Sequence, residues 1–380
     1  MKSLRIIRSC AGRVGAGGFG LIELMVALLI GLVMMGATLT LFLDLSRSNA
    51  DMAKTNVQIE NGSMAMQLLR DDLTHAGFWN GFIPEFDDLT VAAADYPASA
   101  VDAGYPAALP APCATYTPPL AASDERALLG VPLQLYSAVP GGCSTALPSP
   151  VAGSDVLLVR HADTCVAGVG TCVADSAGQL YLQTSRCDGE APYVLSDSGF
   201  VLHKRNCTAL DEKRRWINNI YYLRSYAVTP GDGIPTLMQS SFDALAQQVA
   251  VPMVEGVEAM RFELGVDNVG DGGPVNYAQA VDWGLVSSQI IKNTPKYRGD
   301  GAADSVCTSA TPCTLDDMVN TVVVKAYLLV RELEPSAGYS SDKTYRLAGA
   351  TFGPYGDAYK RHVYSTTIRL NNISGRRETP

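Results

Sequence analysis

No proline occurs between Phe19 and Gly77, and no charged residue between Leu24 and Leu43. The first absence removes the residue that most often kinks or ends a helix. The second leaves 20 uncharged residues in a row; at ~1.5 Å per residue they match a ~30 Å hydrocarbon core. The segment before them, Met1 to Gly18, lacks acids but carries Lys2, Arg5, Arg8 and Arg13. No Gly-x-Ser-x-Gly elbow, His-Glu-x-x-His helix or Walker phosphate loop occurs, so the usual local signs of hydrolase, metalloprotease and nucleotide chemistry are missing. Dense basic runs are missing too. Lys204-Arg205 and Lys213-Arg214-Arg215 flank Asp211-Glu212 and read as a solvated loop. The net charge is −9, and it becomes −13 once the four bases before Phe19 are discounted. That balance argues against a nucleic-acid partner.

What is present begins at Gly17-Gly18-Phe19-Gly20-Leu21-Ile22-Glu23-Leu24-Met25-Val26-Ala27. A secretory signal peptide would place small residues after an apolar core of roughly 7–15 residues. Here the small residues come first and the apolar run is long enough to span, so a leader can be removed while the helix stays. In these residues the chain resembles the type IV pilin superfamily. That resemblance implies cleavage between Gly18 and Phe19 by a prepilin peptidase, N-methylation of Phe19, and insertion of the exposed helix into a filament. It makes Glu23 the assembly glutamate. Gly20 departs from the commoner Thr or Ser. The basic leader sets its own side as cytoplasmic, with Asp44 and everything beyond it outside.

Glu23 can also be argued from physics. A charge at mid-bilayer costs about 2.5–3.5 kcal/mol on insertion scales, so such an acid needs a partner. A freed Phe19 amine would lie one helical turn away, and the positive end of the helix dipole adds to the attraction. The plainer alternative is that Glu23, only ~6 Å below the helix start, reaches headgroup water.

The apolar helix is expected to continue as an amphipathic extension over residues 44–76. Met66, Leu69, Leu73 and Ala76 recur at helical spacing, and Gly77 supplies the stop. A single helix from Phe19 to Ala76 would be ~87 Å long; a break near Asn61-Gly62 is the alternative. Residues 77–380 then form an external β domain. Within it, residues 91–123 hold twelve alanines and six prolines, which reads as an irregular insertion. Strands are expected at Val156–Val159, Leu180–Leu182, Phe200–Leu202, Ile217–Val228, Thr236–Phe242, Val254–Val266, Val319–Val330 and Tyr364–Leu370. Thr229 to Pro235 reads as a hairpin turn. One long helix followed by antiparallel strands is α+β. The expected architecture is type IV pilin-like, a long N-terminal hydrophobic helix packed on an antiparallel sheet with large loop insertions.

Of nine cysteines, Cys10 falls in the leader. The other eight, Cys113, Cys143, Cys165, Cys172, Cys187, Cys207, Cys307 and Cys313, lie on the oxidising side and read as disulfides. Eight cysteines allow 105 pairings, of which sequential pairing is the simplest. Zinc is disfavoured, because no Cys-x-x-Cys spacing exists and only His161 lies near the pairs. Asp267-Asn268-Val269-Gly270-Asp271-Gly272 partly matches a calcium loop, making Asp267 and Asp271 weak candidates. Val269 stands where an oxygen ligand is needed, and a tight turn explains the composition equally well. His75, His161, His203 and His362 are scattered, and Asp71-Asp72 and Asp316-Asp317 are adjacent pairs that face different ways. No cofactor is called for. Asn61-Gly62-Ser63, Asn206-Cys207-Thr208 and Asn372-Ile373-Ser374 match glycosylation acceptors but carry no weight in a bacterial-looking precursor.

Later segments narrow the resemblance. Ile220-Tyr221-Tyr222-Leu223-Arg224, Val254-Glu255-Gly256-Val257-Glu258 through Gly265-Val266-Asp267, Lys325 to Arg331, and Arg361 to Asn372 resemble the minor pilins of the PilW family. Family likeness implies a non-enzymatic subunit of the bacterial inner membrane and then of the surface pilus, active in starting or capping a type IV pilus. It implies as partners other minor pilins, the major pilin, the prepilin peptidase and methyltransferase, the inner-membrane assembly machinery and membrane lipid. Two competitors remain at this point: a J-type pseudopilin of type II secretion, and an extracellular enzyme or binding module on a borrowed anchor.

Overall fold

The computed structural model describes residues 18, 20–91, 94–270, 272–285 and 293–378, with backbone alone at 284–285 and 293–294. Two compact units are distinguished, Met1–Ala53 and Lys54–Pro380. The leader residues 1–17 and Phe19 lie outside the described residues.

Helix α1 runs unbroken from Leu21 to His75. In the first unit every residue from 21 to 50 is exposed, as an all-round apolar helix must be when no lipid or partner surrounds it. In the second unit the helix becomes one-sided. Gln58, Gly62, Ala65, Leu69 and Leu73 are buried at three- and four-residue spacing, and Met66 only flanks that face. Gly77, at φ +72°, takes the left-handed conformation that ends the helix. Asn61-Gly62 is not a break. A Cβ at Gly62 would come within 2.4 Å of the Tyr364 ring, so this glycine lets the helix lie close on the sheet rather than weakening it.

A 3₁₀ turn, Glu85–Asp87, and helix α2, Ala122–Gly130, precede the strands. The first sheet contains β1 Leu133–Tyr136, β2 Val156–Ala162, β3 Tyr181–Thr184, β4 Tyr193–Ser196, β5 Lys213–Arg224, β6 Thr236–Asp243, β7 Ala246–Gln247 and β8 Val251–Glu255. Its order is β1-β2-β5-β3-β4, with β6 also beside β5 and carrying β7 and β8. Then come β9 Val257–Val266 and two small hairpins, β10 Val269–Gly270 with β11 Gly273–Pro274, and β12 Asp282–Leu285 with β13 Asn293–Lys296. The rest are β14 Ser305–Thr308, helix α3 Leu315–Val319, β15 Thr321–Arg331, the hairpin β16 Tyr345–Leu347 and β17 Ala350–Phe352, β18 Arg361–Arg369, and helix α4 Asn371–Arg377. The second sheet is ordered β14-β9-β15-β18. Every named strand pair in both sheets is antiparallel.

Both sheets cover the buried face of α1. Ala65, Leu69, Leu73 and Ala76 share one core with Leu157 and Tyr221 of the first sheet and with Phe262, Val324, Leu328 and Ile368 of the second. The chain passes between sheets at Gly256, whose φ of +81° ends β8 and starts β9. The run Val254 to Val266, expected as one strand, is therefore two, and a Cβ at Gly256 would meet the Arg331 carbonyl at 2.9 Å. Phe200 to Leu202, expected as a strand, forms none. The Gln183 amide takes both Leu202 backbone groups instead, donating to its carbonyl and accepting from its N–H. The insertion is irregular as expected, yet Tyr96, Ala100, Ala103, Tyr105 and Leu109 pack with Phe86, Val131 and Tyr277 in a core of their own.

Candidate assembly segment and the clasps around it

Helix α1 starts where the processing motif lies. Leu24 N–H donates to the Gly20 carbonyl at 3.2 Å, which makes Gly20 the N-cap and Glu23 the third helical residue. Gly20 N–H donates to Glu23 Oε2 at 3.0 Å. That is the return half of a capping box, with glycine in place of the hydroxyl residue. The missing side chain at Gly20 thus costs one cap bond, not the helix start. Sequence reasoning offered Glu23 a partner at Phe19; among the described residues the bond is to Gly20, and Phe19 lies outside them. Beyond it, α1 is long and apolar enough to cross a membrane, with none of its most apolar window buried.

The outer half of α1 is held by polar bonds that spacing alone does not reveal. Buried Gln58 donates to the Val330 carbonyl at 2.7 Å and to the Lys360 carbonyl at 3.1 Å. Asn61 donates to the Glu255 carbonyl at 3.1 Å. At the helix end, Asn372 of α4 donates to the carbonyls of Thr74 and Ala76, both at 3.2 Å, and so satisfies groups the last turn leaves open. One residue of the acidic pair, Asp72, faces the first sheet. Its Oδ1 lies 2.8 Å from His161 Nε2, and Asn219 Nδ2 donates to both its oxygens at 3.1 Å. His161 also points Nδ1 at the Ala162 carbonyl, 2.8 Å away. Burial pulls the His161 ring toward its neutral form, but the hydrogen bond and charge of Asp72 outweigh it and leave the pKa raised.

The calcium-like segment turns inward. Asp267 is fully buried and receives Gly301 N–H at 2.9 Å, Asp300 N–H at 3.2 Å and Arg377 Nη1 at 3.2 Å. A guanidinium therefore stands against the Asp267 carboxylate; Asp271 lies outside the described residues. A Cβ at Gly299 would fall 2.0 Å from Asp267. Gly299, outside that segment, therefore makes room for the buried carboxylate. Arg377 also donates to Asp87 Oδ1 at 3.0 Å and to the Tyr277 hydroxyl at 3.0 Å, and Arg376 donates to Asp87 Oδ2 at 2.6 Å. Burial would push the Asp87 carboxyl up, but the two arginines outweigh it and hold it below the usual carboxylate range.

The remaining candidates do not converge. The cysteines pair in chain order, Cys113–Cys143, Cys165–Cys172, Cys187–Cys207 and Cys307–Cys313, with Cα separations of 5.3, 5.7, 5.0 and 5.3 Å. This removes thiolates as zinc ligands. His203 pairs with Glu190 at 2.7 Å, and His362 packs edge-on against Tyr364. Asp317 closes a capping box with Thr314, while Asp316 takes the Tyr105 hydroxyl. A polar cleft of about 450 Å³ lies beside Tyr105, Asn276 and Asp316. A second, of about 520 Å³, lies between Phe82, Arg126 and Tyr193. In the first, the Thr314 hydroxyl and Asp317 carboxylate are committed to each other as a helix cap.

A membrane-length helix, exposed over residues 21–50, thus has its outer half covered by antiparallel strands. The family model of the type IV pilus-assembly protein W matches residues 220–372. The match runs from within β5 to the start of α4, and so includes Tyr364 and Asn372, which contact α1. No curated protein matches the chain. Among solved structures, the type IV-like pilin TTHA1219 from Thermus thermophilus aligns at 14% identity over 59% of this chain and 81% of its own, with a TM-score of 0.27.

Proposed function

We propose that the chain is a minor pilin that helps start or cap a type IV pilus. In this reading the leader is removed after Gly18, Phe19 is N-methylated, and α1 serves first as bilayer anchor and then as part of the filament. Glu23 meets the freed amine of its own or a neighbouring subunit. The partners are other minor pilins, the major pilin, the processing peptidase and methyltransferase, and the inner-membrane assembly machinery. The chain enters the membrane with its basic end cytoplasmic and its second unit outside.

One observation carries this reading: the uncharged helix from Leu24 to Leu43 is exposed throughout, on a chain whose outer region matches a pilus-assembly family. An apolar surface of that extent needs lipid or other helices to cover it, and a subunit passing from membrane to filament uses both. The test is a deletion strain scored for surface pili and for protein secretion together. Loss of pili with normal secretion supports the proposal. Loss of secretion with normal pili would move the chain to the pseudopilins.

A further inference from the structure

We propose that His161, Asp72 and Asn219 form a proton-dependent latch that fastens the last turn of α1 to the first sheet. Both ring nitrogens of His161 face oxygen acceptors, Nδ1 the Ala162 carbonyl and Nε2 the Asp72 carboxylate, each at 2.8 Å. A neutral imidazole has one N–H and would turn a lone pair toward one of those oxygens. Only the imidazolium satisfies both. The pair is nearly enclosed, its side chains 10% and 9% exposed, so water cannot replace a lost bond cheaply. Asn219 of β5 orients the carboxylate from the opposite side.

The charged and titratable neighbours can be named element by element. From α1 come Asp72, the backbone-bonded His75 with its ring centroid 5.6 Å from that of His161, and Asp71, whose carbonyl accepts from His75. From the end of β2 comes Asp163, whose charge favours the protonated ring. From β5 comes Tyr221, whose hydroxyl neighbours Asp72 and accepts from Gln239. The acids outnumber the bases around the ring. Because the folded pKa of His161 lies above its unfolded value, the latch contributes fully below about pH 6.5. It is lost as pH rises through the folded value. The terminal turn of α1 then remains tied by Asn372 and by the Leu69 and Leu73 packing, so the expected change is local loosening, not unfolding.

The full chain in detergent micelles, at pH 6 and at pH 9, gives the test. Hydrogen exchange of the amides from Leu69 to Gly77, corrected for intrinsic rates, should be at least about tenfold faster at pH 9. Asp72→Asn and His161→Gln should flatten that dependence, and His75→Gln should keep it. Nitrogen-15 shifts of the wild-type His161 ring should report two N–H groups at pH 6, a reading that stands even if the variants fail to fold. Equal corrected exchange at both pH values, a singly protonated ring at pH 6, or a pH response abolished by His75→Gln would each overturn the latch.

Discussion

At the scale of single residues, Arg377 joins two buried acids from distant parts of the chain, Asp87 and Asp267. Gly18, Phe19 and Glu23 stand within six positions of one another, so their order alone carries a processing reading. Asp267 was legible only as part of an Asp- and Gly-rich turn, because its partner Arg377 lies 110 positions away and the shared Asp87 lies 290 positions from that arginine. Arg377→Ala leaves buried Asp267 without its cation and Asp87 with Arg376 alone, and should cost about 3–5 kcal/mol, read as a lowered urea midpoint of the full chain. Asp232 sits in the anticipated hairpin turn and accepts the N–H groups of Ala227, Val228, Thr229 and Ile234. Led by the Ile234 bond, these hold its pKa down to about 2. Since the folded value is depressed, its contribution is present above the ordinary value near 3.9 and is lost as pH falls toward about 2. Carboxyl carbon-13 titration should place the Asp232 midpoint well below those of exposed aspartates, and a midpoint near 4 would contradict the turn geometry.

At the scale of elements, periodicity found α1 and the long strands because burial follows it there. Leu69 and Leu73 fell on the anticipated stripe. Gln58 and Gly62 were missed because neither has an apolar side chain, although one bonds to the Val330 and Lys360 carbonyls and the other admits Tyr364. Short elements such as β4 and the hairpin of β16 and β17 escaped, since three or four residues cannot display a period. The strand boundary at Gly256 was hidden for a different reason. Clear alternation was legible only from Met260 to Leu264, and it is the left-handed glycine that redirects the chain to the second sheet. Leu69→Ala should destabilise the second unit by about 2–5 kcal/mol through lost burial and the cavity left behind, seen as a lower thermal midpoint. A change under ~0.5 kcal/mol would mean that α1 does not pack as described.

At the scale of the whole molecule, each unit answers a different solvent. Lys54–Pro380 buries one face of α1 under two sheets and closes four disulfides, as suits an oxidising compartment. Met1–Ala53 supplies, in its described part, a helix with no cover of its own. Composition made that contrast readable, because charge disappears from Leu24 to Leu43 and returns at Asp44. The sharing of one helix face by two sheets was not readable, since it depends on long-range pairing. Glu23→Ala should leave membrane insertion intact and reduce incorporation of this subunit into sheared pili several-fold, measured by immunoblot. Undiminished incorporation would remove the role proposed for Glu23.

The most direct test of the account is N-terminal sequencing with intact mass of the chain recovered from membranes and from sheared surface filaments. The account predicts one species in both fractions, beginning at N-methylated Phe19 and retaining the helix through Leu43. A soluble species beginning beyond Leu43, or a surface form still beginning at Met1, would contradict it.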